Sequence, residues 1–285
     1  MRGGPLLAAF LAASAGASPF SPKIAEWADR GFALSQQASA EDGALSALAA
    51  VYTPKNSGGD RLELYVAIKD KAYLGYTHPS TVDRLTLEPS PDGRFTDLFG
   101  DGSRVLAYRA TDSLRETQLS ILRWRRFKIE RVAVFPEGRF LRLGKEGSPV
   151  IAARSLPLGQ QVQVSCRDFG TVSRTAFKTS LHAPRSGTFV DVSDRHPAYF
   201  ESEIARKEKA LTALKGSLEE NAGEYLGLAL SSYFDYAALG RARAGWERLR
   251  SFFAVPSYAP SSVKACMTAM EKDLRRWLKV PTNWP

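Results

Sequence analysis

Residues 91–109 read PDGRFTDLFGDGSRVLAYR, and residues 136–154 read PEGRFLRLGKEGSPVIAAR. The two segments are offset by 45 residues, align without a gap, and are identical at 10 of 19 positions. Each copy starts with a Pro-acid-Gly turn, passes through a glycine loop and ends in an apolar strand, Val105–Tyr108 or Val150–Ala153. A period near 45 residues with about four short strands is typical of a β-propeller blade.

Apolar runs on both sides of the two copies predict further strands. These runs are Leu62–Ile68, Ala72–Tyr76, Arg84–Leu87, Gln118–Trp124, Phe127–Val134, Val162–Cys166, Ser173–Thr179 and Phe189–Val192. Two clear copies are too few to close a propeller within this chain. We therefore expect an open or partial propeller-like stack of antiparallel sheets whose edges are capped by helices.

The loop Asp97–Ser103, followed by Arg104-Val-Leu-Ala, resembles the FG-GAP and VCBS type of β-repeat. The hairpin at 122–129 and the strand at 187–193 resemble later parts of such repeats, so the resemblance covers roughly residues 45–193. It implies a calcium-type loop with Asp97 and Asp101 as ligands, although Phe99 stands at the middle ligand position. The alternative is a structural turn in which Gly102 and Gly147 are kept for their dihedral angles.

The pattern changes to helical spacing from His196 onward. Helices are predicted from Pro197, over Glu224–Leu239, over Arg241–Phe253 and over Ser262–Val280. The middle pair is similar to one tetratricopeptide hairpin, which would imply a peptide-binding groove, and helix-on-helix packing explains the same apolar stripe. The expected fold class is thus α+β in several parts, a propeller-like antiparallel β-repeat domain followed by an α-helical domain. The predicted segments are a signal peptide at 1–17, a helical or linker segment at 18–44, the β-repeat domain at 45–193 and the helical domain at 194–285.

The first residues have the order of an export signal. Arg2 is followed by an apolar run from Leu6 to Ala12 and then by small residues, so cleavage is expected after Ala15 or Ala17. The run is shorter than the roughly 20 residues that span a bilayer. No cysteine lies near the cleavage position to carry a lipid anchor. We expect a periplasmic or secreted protein without a transmembrane segment.

Composition and cysteine content agree with this expectation. With 44% hydrophobic and 24% charged residues, the chain is globular rather than disordered. Its net charge of +9 favours anionic partners. Cys166 and Cys266 can form a disulfide in an oxidising compartment, the alternative being two buried thiols.

Several common catalytic motifs are absent from the sequence. It contains no H-E-x-x-H, G-x-S-x-G, Walker or dinucleotide-binding pattern, and His78, His182 and His196 have no ligand-type neighbours. A basic cluster with an aromatic residue, Arg123, Trp124, Arg125 and Arg126, is the candidate ligand-binding site, or else a basic hairpin turn.

These observations predict an exported, non-catalytic interaction module of the cell envelope or extracellular space. We expect it to bind a protein or an anionic polymer, without nucleic acid as a partner and without an obligatory cofactor, calcium being the one candidate. The alternatives are a hydrolase of an envelope polymer with a site built from scattered residues, and an adaptor that holds a peptide between its C-terminal helices.

Overall fold

Three four-stranded antiparallel sheets follow one another along the part of the chain that the structure describes. This computed structural model describes residues 18–143, 147, 149–159, 162–163, 171–172, 175–215, 218–254, 257 and 261–285. The first sheet contains β1 (Phe32–Asp42), β2 (Leu45–Pro54), β3 (Arg61–Ile68) and β4 (Lys71–Thr77) in that order. The second contains β5 (Arg84–Glu88), β6 (Arg104–Thr111), β7 (Thr117–Arg125) and β8 (Lys128–Pro136), again in order.

The third sheet is interrupted in sequence by a short insertion. Its spatial order is β9 (Arg139–Arg142), β10 (Pro149–Ser155), β13 (Lys178–Arg185) and β14 (Thr188–Asp191). The two-residue strands β11 (Val162–Gln163) and β12 (Thr171–Val172) pair with each other between β10 and β13.

Five helices complete the described fold. These are α1 (Ser21–Asp29), α2 (Pro197–Leu214), α3 (Leu218–Ala238), α4 (Ala242–Phe252) and α5 (Ser261–Leu278). The α+β class predicted from the sequence is therefore confirmed. No described helix has a stretch long and apolar enough to cross a bilayer.

The prediction for residues 18–44 is corrected by β1. We expected a helix or a linker there, but only 21–29 are helical, and Phe32–Asp42 pair along β2. The sequence FALSQQASAED is poor in large apolar residues because β1 is an edge strand with most side chains exposed. Its backbone is held by the neighbouring β2, whose segment Ala47–Tyr52 is buried throughout.

The two similar segments share one backbone pairing. Thr96 bridges Val105 in the first copy, and Leu141 pairs with Val150 in the second, so both partners are displaced by 45 residues. In the second copy this pairing belongs to the β9–β10 ladder, whereas in the first it is an isolated bridge beside β6.

The chain forms two compact units. The first ends at Leu85 and also contains Arg126–Ile129, and the second contains Thr86–Arg125 and Glu130–Pro285. In the first unit α1 is fixed to its sheet by a buried polar cluster. The indole N–H of Trp27 donates to Oε2 of Glu63 at 2.8 Å, and Arg61 pairs with the same carboxylate at 2.9 Å.

In the second unit, both faces of the third sheet pack against other apolar residues. Successive side chains of a strand point to opposite faces, so β10 contributes to both contacts. Ile151 and Ala153 pack in one apolar cluster with Leu119 and Phe135. The alternate residues of β10, together with Leu181, pack against Phe200 of α2. The sequence-based boundary between residues 193 and 194 therefore lies within one apolar cluster of the second unit.

Candidate functional site

A cavity of about 420 Å³ lies in the second unit. Its walls come from the start of β7, the end of β8, the end of β10 and the segment before β13. The lining residues are Glu116, Thr117, Gln118, Pro136, Glu137, Arg154, Ser155, Leu156, Thr175 and Phe177. This volume falls in the range of small-ligand pockets.

Arg154 is the cation of this cavity. Its guanidinium carbon lies 4.2 Å from the centre of the Phe177 ring, and the side chain is half-buried. The guanidinium makes no hydrogen bond or ion pair to any of the described residues. Burial lowers the pKa of Arg154, and the nearby charge of Arg139 lowers it further. A guanidinium offers five N–H donors in a planar arrangement that matches a carboxylate or a phosphate.

The equivalent arginine of the first copy has protein partners. Arg109 donates from Nη2 to the carbonyl of Gly138 at 2.9 Å and lies 3.5 Å from the carboxylate of Glu88. The residue 45 positions after Glu88 is Ala133. The second copy thus keeps the arginine but not the acid that neutralises it in the first.

Two carboxylates also line the cavity. Glu137 accepts the backbone N–H of Thr117 at 3.3 Å, and Glu116 belongs to the same wall. Glu137 adopts a left-handed backbone conformation, with φ of 47°. The lining of the cavity therefore includes one cation, two acids and an aromatic ring. This combination suits a ligand that carries both a negative and a positive group, and it disfavours a ligand with negative charges only.

A buried ion pair lies close to the same aromatic ring. The ammonium of Lys207 is 4.8 Å from the Phe177 ring and 2.5 Å from Oδ2 of Asp235. Neither Lys207 nor Asp235 has exposed side-chain surface. Oδ1 of Asp235 and the hydroxyls of Ser231 and Ser232 are buried without a hydrogen-bond partner among the described residues.

The basic cluster predicted from the sequence does not form a single surface. Trp124 is only 2% exposed and packs edge-on against Phe95, so its ring is not accessible for ligand stacking. Arg123 is bonded to Glu130 and donates to the carbonyl of Gly187 at 3.3 Å. Arg125 and Arg126 are exposed.

The predicted calcium loop has its carboxylates turned onto its own backbone. Oδ1 and Oδ2 of Asp97 accept the N–H groups of Asp101 and Gly102 at 3.2 and 2.9 Å. Oδ1 of Asp101 accepts the Ser103 hydroxyl and N–H, which lowers the pKa of Asp101. Gly102 has a φ of 79°, as the structural-turn alternative requires. Among the described residues no group of three or more metal-ligating side chains is found. Most of the second loop lies outside them.

One cysteine of the predicted disulfide is described. Cys266 lies partly buried against the helical core that contains Met270 and Leu274. Cys166 lies outside the described residues, so the disulfide stays a prediction.

A serine–histidine pair was missed by the sequence analysis. Oγ of Ser180 lies 2.9 Å from Nε2 of His182, and burial lowers the pKa of His182. Asp191 is opposite His182 in the β13–β14 ladder, but its Oδ1 accepts the N–H and hydroxyl of Ser193 at 2.9 and 2.6 Å. Two polar residues at i and i+2 of a strand share one face, and this spacing was the only available signal.

The apolar stripes of the C-terminal helices are mostly buried. Trp246, Leu249 and Met270 have at most 1% of their surface exposed. A cavity of about 440 Å³ remains between α4 and α5, and the ion pair of Arg250 and Glu271, at 3.1 Å, belongs to its wall. Burial of these stripes favours helix packing over the peptide groove.

No protein-family model, no curated protein and no solved structure matches this chain.

Proposed function

We propose that this chain is an exported, non-catalytic interaction module that binds a partner protein or an anionic envelope polymer through the cavity around Arg154. The observation that carries the proposal is the half-buried guanidinium of Arg154, which stacks on Phe177 and has no acceptor among the described residues. A bound carboxylate or phosphate would give this guanidinium charge-assisted hydrogen bonds, which are stronger than those between neutral groups.

The two acids of the cavity refine the expected ligand. A carboxylate or phosphate would bind Arg154, while Glu116 and Glu137 would repel a second negative charge close to it. A protein segment, in which acidic and basic side chains alternate, satisfies both conditions better than a uniformly charged polymer. We therefore place a protein partner before an envelope polymer.

Export and the repeat architecture belong to the same proposal. The N-terminal pattern of residues 1–17 supports a periplasmic or secreted location. Three successive four-stranded sheets, with a shared pairing in two of them, support an open, propeller-like relative of the FG-GAP and VCBS repeats. Loops at one end of such a stack are the usual place for binding.

Titration with defined probes tests the proposal. The mature protein would be titrated with a peptide of alternating Glu and Lys, with polyglutamate and with heparin, and compared with Arg154→Ala and Arg125→Ala. The control removes the same charge at an exposed position outside the cavity. We expect Arg154→Ala to weaken peptide binding by about tenfold or more, as for a charge-assisted hydrogen bond. Equal losses in the two variants, or no binding of any probe, would contradict the cavity as the binding site.

The pair of Ser180 and His182 supports a second candidate, a hydrolase. A nucleophile and base within hydrogen-bond reach are the first requirement of acyl transfer. Ser180 and His182 line neither of the two cavities described above, and the carboxylate of Asp191 is engaged by Ser193. Labelling with a fluorophosphonate probe decides between the candidates. A label that is lost in Ser180→Ala, and kept in the Ser193→Ala control, would establish the hydrolase.

A further inference from the structure

A group of exposed apolar and basic side chains lies in the first unit, where the β3–β4 and β7–β8 hairpin turns meet. Three large apolar side chains there are mostly exposed: Tyr73 by 55%, Leu74 by 53% and Phe127 by 61%. They share one shallow cavity of about 400 Å³ with Val66 and Ile68. We call this group, together with the flanking cations Lys69, Lys71, Arg126 and Lys128, the hairpin tip.

The two hairpins approach each other closely at Gly75. Gly75 lies so close to the Ile129 side chain that a Cβ at position 75 would be 2.7 Å from Cδ1 of Ile129. A side chain at position 75 would have to displace the end of the Ile129 side chain, so β4 and the start of β8 are in close contact at this point. The exposed ring of Phe127 lines the same shallow cavity as Tyr73 and Leu74.

Both turns place a cation where a small residue is usual. Each connects its strands through two residues, and Lys69 and Arg126 have φ values of 54° and 55°. Glycine, asparagine and aspartate are the residues that favour this left-handed conformation in two-residue turns. Lysine in one turn and arginine in the other adopt this conformation at a cost in free energy, which indicates a use for the positive charge.

We propose that the hairpin tip docks onto the surface of an anionic phospholipid bilayer. Four cations and one acid, Asp70, give the tip a net positive charge that complements anionic headgroups. The aromatic rings of Tyr73 and Phe127 suit the boundary between headgroups and acyl chains. Lysine is depleted from protein–protein interfaces, so a tip with three lysines around its apolar centre is better explained by lipid than by a protein partner.

The proposal does not depend on the Arg154 cavity, which belongs to the second unit. It also differs from the binding site predicted at 123–126, because Trp124 is buried and the exposed ring of this hairpin is Phe127. The lipid contact would be peripheral: the tip lies on the bilayer surface and does not cross it.

Sedimentation with vesicles tests the proposal on the mature protein. Vesicles of phosphatidylglycerol mixed with phosphatidylcholine are compared with vesicles of phosphatidylcholine alone. We expect binding to the anionic vesicles and its loss on raising the salt concentration. Tyr73→Ser/Phe127→Ser should weaken binding by about tenfold or more, since each ring loses its apolar contact. Lys69→Gln/Lys71→Gln should weaken binding to anionic vesicles only.

The matched control is Val82→Ser/Leu114→Ser, which removes two equally exposed apolar side chains outside the tip. This variant should bind vesicles like the natural chain, and circular dichroism should show that all variants fold. Equal binding to the two kinds of vesicle, unchanged binding of the tip variants or no binding of the natural chain would each overturn the proposal. Vesicle binding by Arg154→Ala should be normal, which separates this result from the test of the cavity.

Discussion

The ammonium nitrogen of Lys207 lies 2.5 Å from Oδ2 of Asp235, and this ion pair between α2 and α3 has no exposed surface. Burial raises the pKa of Asp235 to about 6, although the charge of Lys207 counteracts the shift. Burial also lowers the pKa of Lys207, with Asp235 acting against it. Each partner therefore keeps the other charged in a medium that disfavours both charges.

Breaking this pair on one side should be more harmful than removing it whole. We expect Lys207→Met to lower the free energy of unfolding by about 3–5 kcal/mol, because Asp235 is left buried without a counter-charge. Lys207→Met/Asp235→Leu should lose less than the single variant. Urea unfolding at neutral pH measures both. A double variant less stable than Lys207→Met would contradict this expectation.

The same pair predicts a pH dependence of stability. The pKa of Asp235 is about 6 in the folded state and 3.8 in a free side chain, so the folded state binds the proton more tightly. Stability from this group is complete below about pH 4 and is lost as the pH rises through about 6. Subtracting the unfolding free energy of Lys207→Met/Asp235→Leu isolates this contribution. A difference that grows between these two pH values would contradict the raised pKa.

The repeat-related arginines should respond differently to truncation. Arg109→Ala removes a hydrogen bond to the Gly138 carbonyl and should destabilise by about 1–2 kcal/mol. Arg154→Ala should cost less, because only a cation–π contact of about 0.5–1 kcal/mol is lost. Thermal or urea unfolding of the two variants gives the comparison. A larger loss for Arg154→Ala would argue for a structural role of Arg154.

The loop at Asp97 should be structural rather than calcium-dependent. Asp97→Ala removes the acceptor of two loop N–H groups and should lower the melting temperature equally with calcium and with a chelator. Asp112→Ala is the control, because Asp112 similarly accepts the N–H groups of Leu114 and Glu116 at 2.9 Å in another loop. Calorimetric titration with calcium gives the direct answer. A calcium-dependent rise in melting temperature that Asp97→Ala abolishes would instead establish the metal site.

The predicted disulfide can be tested on the protein secreted under oxidising conditions. We expect non-reducing peptide mapping to find Cys166 joined to Cys266. Closing a loop of 100 residues would stabilise by up to about 4–5 kcal/mol in the chain-entropy model. Reduction should therefore lower the melting temperature of the natural chain and leave Cys166→Ser/Cys266→Ser unchanged. Two thiols that react with iodoacetamide in the unfolded, unreduced protein would rule the link out.

Strands that contain a run of apolar residues were predictable from the sequence. Strands with few apolar residues, which are held mainly by pairing with a neighbouring strand, were not. β3 and β6 follow apolar runs, and both were found within one to three residues of the prediction. β13 was placed too early, at 173–179, whereas it covers Lys178–Arg185. The ladder with β10 ends at His182, and Pro184 pairs only with Phe189 of the edge strand β14, a position of the kind in which sheets tolerate proline.

The candidate site was less predictable than the fold for a similar reason. Arg154 was visible in the sequence as a repeated residue, but its significance depends on partners that Arg109 has and Arg154 lacks. Conversely, the basic cluster around Trp124 looked like a binding surface because sequence spacing does not show that the indole is enclosed. Unpaired charge and solvent access are properties of the assembled fold.

The position of Phe200 has a practical consequence for anyone who divides this protein into fragments. A fragment that ends before α2 would expose Val150, Ala152 and Leu181 to water, because Phe200 belongs to the cluster that covers them. Such a piece would be prone to aggregate even though all of its strands are present. The shortest fragment with a complete third sheet must include α2, so these strands and helices should be expressed as one piece.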